Sequence, residues 1–245
     1  MSVESFEIAE RFRGPPRSGN GGYVCGRIAK HLQGTVAVRL KAPPPLNTGL
    51  LLESTDTEAR LLHGTTLIGE AKPAQLALET PLAPSFSEAV HASQGFLGFT
   101  AHPFPGCFVC GTGRQPSDGL CLFPGPINQS ALIAAPWVPD ASLAGDCGNI
   151  RSEFIWSALD CPGAFAVMPA LPASIAVVLG ELCVSLLTPL APGEHCVVIG
   201  WPIGVDGRKH LAGSAVYGAD ARLVAMARAV WIEVPLSAWA DSQNG

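Results

Sequence analysis

The sequence predicts an α+β fold: two central helices, each wrapped by an antiparallel β-sheet, with the two sheets joined edge to edge. Three observations carry this reading. Between Gly21 and Leu32 the apolar positions Val24, Ile28 and Leu32 fall four apart, with Cys25 and Ala29 beside them, which is the spacing of one buried helix stripe. "SEFIWSALD" repeats the pattern with Phe154, Ile155, Ala158 and Leu159. The third is a weak internal match of "VAVRLKAPPPLN" to "LCVSLLTPLAPG", setting Val38 with Val184, Leu40 with Leu186 and Pro43 with Pro189. In each half a helix precedes this strand and antiparallel hairpins follow it. An apolar helix needs a sheet to cover it, and antiparallel strands with one buried face supply that cover.

In chain order, "RSGNGGYVCGRIAKHL" (17–32) sets Asn-Gly-Gly directly before the first helix. Glycine is a poor helix former, so the pair needs a reason. Either it is a flexible turn capped by Asn20, or it lets something approach bare backbone N–H groups at a helix start. After Gly34, "TVAVRLKAPPP" alternates Val36, Val38 and Leu40 against Ala37, Arg39 and Lys41, as a strand does. "GLLLESTDTEARLL" and "TTLIGEAKPAQLAL" read as two long strands joined by a hairpin at His63-Gly64. From Leu82 to Pro105 the chain is rich in Pro, Ser, Ala and Gly, and its weak periodicity reads as a surface connector. Residues 1–81 then form a first unit, 82–105 the connector and 106–245 a second unit.

The second unit opens with strand candidates "GLCLF" and "SALIAAPWV" around "PGPINQ". Pro162 is expected to end or kink the second helix close to Asp160. Four strand runs complete the chain: "SIAVVLGELCVSLL", "HCVVIGWPI", "HLAGSAVYG" and "RLVAMARAVWIEV". Asp206-Gly207 and Gly218–Ala221 supply turns between the last three.

The chain has 245 residues, 48% of them apolar and only 14% charged, with a net charge of −5. That composition points to extensive burial and excludes a disordered tail or a nucleic-acid binder of the basic-patch kind. No apolar run reaches the roughly 18 residues of a membrane span. "MSVESFEIAERF" carries acids where a secretory signal needs a basic and then an apolar stretch, so a cytoplasmic location is expected. The eight cysteines then read as reduced thiols, mostly small core residues. "CFVCG" (Cys107, Cys110), with His102 nearby, is half of a zinc ribbon. A structural zinc needs four ligands, and Cys121 and Cys147 are not spaced to complete the set, so no metal is expected. The absence of a GxSxG elbow, a P-loop and a complete dinucleotide fingerprint removes serine-hydrolase, nucleotide-hydrolase and Rossmann readings.

Five phrases in order, "GNGGYVCGRIA", "VRLKAPPPL", "CFVCGTGRQPSDGL", "FIWSALDCPGAFA" and "GRKHLAGSAVYGADARLVAMARAVWIEV", resemble hotdog-fold acyl-CoA thioesterases. More narrowly, the resemblance is to the variety with two hotdog units fused in one chain, and it covers most of residues 5–235. It implies a double hotdog with active sites between the paired units, an acyl-CoA or other acyl thioester as substrate, and no metal or redox cofactor. A homodimer of fused pairs is also compatible with it. In such enzymes a Gly-Gly pair begins the central helix, and a backbone N–H there polarises the thioester carbonyl. Physically, a helix start offers unpaired N–H groups and the positive end of the dipole to a developing oxyanion. A carboxylate about two turns along the partner unit's helix acts as nucleophile or activates water.

Carried over residue by residue, the two halves divide these parts between them. Gly21 and Gly22 lie in the first half, where Ala29 and Lys30 stand at the acid position. Asp160 lies in the second, where Arg151, Ser152 and Glu153 replace the glycines. The expectation is one composite site of Asn20, Gly21, Gly22 and Asp160, with Gly22 N–H on the carbonyl and the opposite pseudo-symmetric site inactive. An acid in an apolar helical stretch, near a helix end, is expected to have a raised pKa. Each residue also has a plainer role: Asn20 as an N-cap, Asp160 as a cap of the loop after Pro162, Glu153 as a dipole partner and His63 as a turn residue. Arg208 and Lys209, at a hairpin tip, fit either CoA phosphates or a solvated turn. Two competing functions stand beside hydrolysis. One is a non-catalytic acyl-CoA-binding protein. The other is an enoyl-CoA hydratase or dehydratase, which wants a His near the acid, whereas none follows Asp160 until His195.

Overall fold

The computed structural model describes residues 2–240 apart from Gln129. The strands are β1 (Ser2–Glu7), β2 (Val36–Leu40), β3 (Gly49–Ser54), β4 (Ala59–His63), β5 (Thr66–Pro73), β6 (Gly125–Pro126), β7 (Ile133–Trp137), β8 (Ile175–Leu186), β9 (Cys196–Asp206), β10 (Lys209–Tyr217) and β11 (Leu223–Pro235). The helices are α1 (Gly21–Ala29), α2 (Phe86–Ser93), α3 (Ser152–Ala158), α4 (Cys161–Val167) and α5 (Ser237–Ala240). Among the described residues the strands make one antiparallel sheet, ordered β1-β3-β4-β5-β2-β8-β11-β10-β9-β7-β6. Its seam is the β2–β8 pair, with Val36 opposite Val184 and Val38 opposite Leu182. The two strands that match in sequence therefore lie side by side.

Three segments differ from the sequence reading, and the expected break at Pro162 is present. "GLLLESTDTEARLL" is two strands, β3 and β4, because Thr55 turns the chain: its hydroxyl accepts the N–H groups of Thr57 and Glu58. "GLCLF" (119–123) is irregular. Cys121 sits at φ +51°, and Leu120 and Leu122 donate their N–H groups to the carbonyls of Phe108 and Val109. The connector contains α2, which opens with a Ser85/Glu88 capping box. Its buried Ala89 belongs to a small cluster with Ala134, Val197 and Ile199, so α2 covers part of β7 and β9. Pro162 ends one helix and stands in the first turn of the next: α3 stops at Ala158 and α4 starts at Cys161, where a proline needs no N–H partner. Asp160 is the joint between them.

α1 is buried on nearly every side, against β2, β4, β5 and β8 and against α3. Its contact with α3 is set by glycines four apart. A Cβ on Gly22 would stand 2.6 Å from the Trp156 carbonyl oxygen, and one on Gly26 would stand 2.6 Å from Glu153 Cα. The bare backbone of α1 thus packs against α3 more closely than a side chain at either glycine would permit. Phe12, Tyr23, Phe108 and Phe154 lock the same junction, with Phe12 stacked on Tyr23 at 4.2 Å between ring centroids. Gly26 is remote from the chemistry described below, so Gly26→Ala isolates this packing. It should cost about 1–3 kcal/mol through overpacking, seen in urea unfolding as a lower midpoint with an unchanged slope.

Candidate active site

Asn20 caps α1, its side-chain oxygen accepting the Tyr23 N–H at 2.9 Å. That bond fixes which end of the amide points elsewhere. Its Nδ2 donates to Asp160 Oδ2 at 2.7 Å, across 140 residues of sequence. The Gly22 N–H, in the first turn of α1, donates to the same oxygen at 3.0 Å. Asp160 is brought there because α3 packs on α1 and ends two residues before the joint. The other carboxylate oxygen, Oδ1, is buried and has no hydrogen-bond partner.

Asn20 and Asp160 are each 2% exposed. Burial is the largest influence on Asp160 and raises its pKa from 3.8 to about 7. The nearby Cys107 adds to the rise, while the Gly22 and Asn20 hydrogen bonds oppose it by favouring the charged form. Nearness to neutrality suits a group that must take up and give back a proton.

Asp160 opens on a cavity of about 250 Å³. Asn20 and Gly21 line its polar end, and Leu40, Phe104, Phe165 and Leu179 are among its apolar walls. A bulge in β8 at Gly180, opposite Val230 and Trp231 of β11, breaks the strand's alternation, and Val177, Val178, Leu179 and Gly180 all border this space. The lining has one acid, two unpaired thiol-bearing segments and a long apolar wall.

Two solved structures share this architecture at low identity. One is a tesB protein from Mycobacterium avium subsp. paratuberculosis, 12% identical with a TM-score of 0.63, the match covering 95% of this chain and 93% of that one. The other is assigned as a thioesterase II from Thermobifida fusca, 13% identical with a TM-score of 0.63, covering 96% and 93%. The fold is the hotdog fold. No protein-family model and no curated protein sequence matches the chain.

Within this hotdog architecture, the predicted residues Asn20, Gly21, Gly22 and Asp160 come together, with Gly22 and Asp160 in direct contact. Their hydrogen bonding differs from the expectation that the Gly22 N–H is open to a carbonyl. The Gly22 N–H already holds Asp160, whereas the Gly21 N–H has no hydrogen-bond partner among the described residues and Gly21 lines the cavity. Arg208 and Lys209 stand exposed at the β9–β10 turn and do not line the cavity. His63 sits at the exposed β4–β5 turn. At the opposite pseudo-symmetric position, Glu153 pairs with Arg151 at 3.7 Å and Lys30 with Glu4 at 3.5 Å.

Sequence reasoning missed the clustering of Cys107 and Cys161 beside Asp160, with Sγ atoms 3.7 Å apart and Asn20 Nδ2 3.8 Å from Cys107 Sγ. Only the adjacency of Cys161 to Asp160 hinted at it. No helix among the described residues is long and apolar enough to cross a membrane. Asn20→Ala should cost about 0.5–2 kcal/mol, the usual worth of an N-cap. Asn20→Ser, which keeps a capping oxygen, should cost less; paired urea titrations measure the difference.

Proposed function

We propose that this protein is an acyl-CoA thioesterase-like hydrolase that cleaves an acyl thioester to the free acid and CoA. The observation that carries the reading is the Asp160 carboxylate, with one oxygen held by Gly22 and Asn20 and the other buried without a hydrogen-bond partner, on a residue that lines an apolar cavity. A cavity with apolar walls and one oriented acid suits an acyl chain whose reacting carbonyl sits at the polar end. The similarity to structures called tesB and thioesterase II supports the same chemistry by analogy of fold.

In this proposal each unit supplies part of one site: 1–81 the first, 106–245 the second, with 82–105 between them. α1 serves as the central helix of the first unit and the α3–α4 pair as that of the second, each wrapped by its share of the sheet. The Gly21 N–H stabilises the developing oxyanion. Asp160 Oδ1 takes a proton from water as the water oxygen attacks the thioester carbonyl carbon. The tetrahedral intermediate then collapses, the C–S bond breaks, and the same proton passes to the departing sulfur. Asn20 and Gly22 hold the carboxylate in register throughout, and these residues need no metal or redox cofactor for that sequence.

The test is release of free CoA from short, medium, long and aromatic acyl-CoAs, separated by chromatography because the protein's eight thiols would react with thiol dyes. Asp160→Asn, with the fold intact, should lower kcat by about 10²- to 10⁴-fold, the range that loss of a general base costs. Retained turnover in that variant removes Asp160 from the mechanism. Binding of acyl-CoA without turnover by the unmodified protein makes it a binding module instead. Single turnover in ¹⁸O-water should label the product acid and leave Asp160 unlabelled; label in Asp160 would make it the nucleophile.

A further inference from the structure

We propose that Cys107, Cys110 and Cys161 form a three-thiolate binding site for one thiophilic cation, of which zinc is the type. The three sulfurs lie within 4.8 Å of one another and all three residues are buried. Cys107 and Cys161 have their sulfurs 3.7 Å apart. Four thiolates around zinc at about 2.3 Å have neighbouring sulfurs about 3.8 Å apart, so this edge has the required length. Sulfur donors select zinc, Cu(I) and related soft ions over calcium or magnesium.

The set is drawn from two places. Cys107 and Cys110 come from the loop before residues 119–123, and Cys161 is the first residue of α4, directly after the Asp160 joint. The loop's own hydrogen bonds hold it in shape. Gly111 N–H returns to the Cys107 carbonyl, Phe108 N–H reaches the Arg13 carbonyl, and Arg13 and Arg114 both donate to the Gly106 carbonyl. Such a loop loses little further freedom on binding.

His102 does not complete the set. Its Nδ1 accepts the Phe104 N–H at 3.0 Å and its Nε2 lies 2.9 Å from the Cys110 carbonyl oxygen, so both ring nitrogens are engaged. All three cysteines line the cavity, which leaves the fourth position to a small molecule entering from it, such as water. Binding transfers three thiol protons to solvent and joins three Sγ atoms to one ion. It ties the loop to the helix joint that carries Asp160. The proposal is independent of the hydrolase reading, because metal binding is measured without substrate.

The experiment uses the full chain, free of affinity tags, reduced, stripped with a chelator and kept anaerobic. Zinc chloride is titrated in competition with a chromogenic chelator, and cobalt(II) chloride is added separately to read thiolate-to-cobalt charge transfer in the near ultraviolet. One zinc per chain is expected, with a charge-transfer band from the cobalt form. Cys107→Ser, Cys161→Ser and Cys110→Ala should each weaken binding by more than the about tenfold to hundredfold that loss of an outer partner costs. Cys147→Ser and Cys183→Ser, outside the cluster, should bind as the unmodified protein does. Far-UV circular dichroism separates lost binding from lost folding, and the cobalt spectrum of the unmodified protein stands even if a variant fails to fold. No saturable zinc binding, binding unchanged in Cys107→Ser and Cys161→Ser, or a cobalt form without the thiolate band would each overturn the proposal. So would a disulfide joining two of the three thiols as the only form recovered from reducing conditions.

Discussion

Everything at the centre of this molecule depends on how closely α1 approaches α3. Gly22 and Gly26 remove the side chains that would hold the two backbones apart, and the approach puts a first-turn N–H of one helix onto a carboxylate at the end of the other. A bulkier residue at Gly22 would collide with Asp160 Cβ itself. The same contact that packs the core therefore also orients the acid. The Phe12–Tyr23 stack packs at the same helix contact, and the β2–β8 pairing joins the two parts of the sheet that cover it.

A buried acid is costly unless its charge is answered. Here one oxygen receives two donors and the other receives none, so the charged form is compensated only in part. That partial compensation holds the group near neutrality, at about 7, where a fully satisfied carboxylate would fall lower and an isolated one would rise. The β8 bulge and the break between α3 and α4 serve the same end by different means. The bulge sets Gly180 beside Leu179 at the cavity wall, and the break stops a helix so that Asp160 can sit at its exit.

Much of the fold was legible because it rests on local rules. The apolar stripe of α1, the strand alternation of β2 and the long runs of β8 to β11 follow from side-chain period alone. The joint at Asp160 followed from a proline that cannot continue a helix from within. The α2 helix was hidden in a connector of low periodicity, although Ser85 and Glu88 spell a capping box. The split of β3 from β4 was hidden because Thr55 turns the chain through side-chain-to-backbone bonds, with neither glycine nor proline to mark it.

The sequence by itself determined the types of the long, periodic elements and, through the Asn-Gly-Gly start and the acid beside Pro162, which residues were candidates for chemistry. Only the tertiary structure decided how they are arranged. It spent the Gly22 N–H on Asp160 and left Gly21 free, kept Arg208 and Lys209 away from the cavity, and gathered Cys161 with a cysteine pair some fifty residues earlier, Cys107 and Cys161 being 54 positions apart. The physical reason is range. Periodicity and capping act within a few residues of chain, whereas a hydrogen bond or a sulfur cluster between residues far apart exists only once packing has fixed the distance between the elements that carry them.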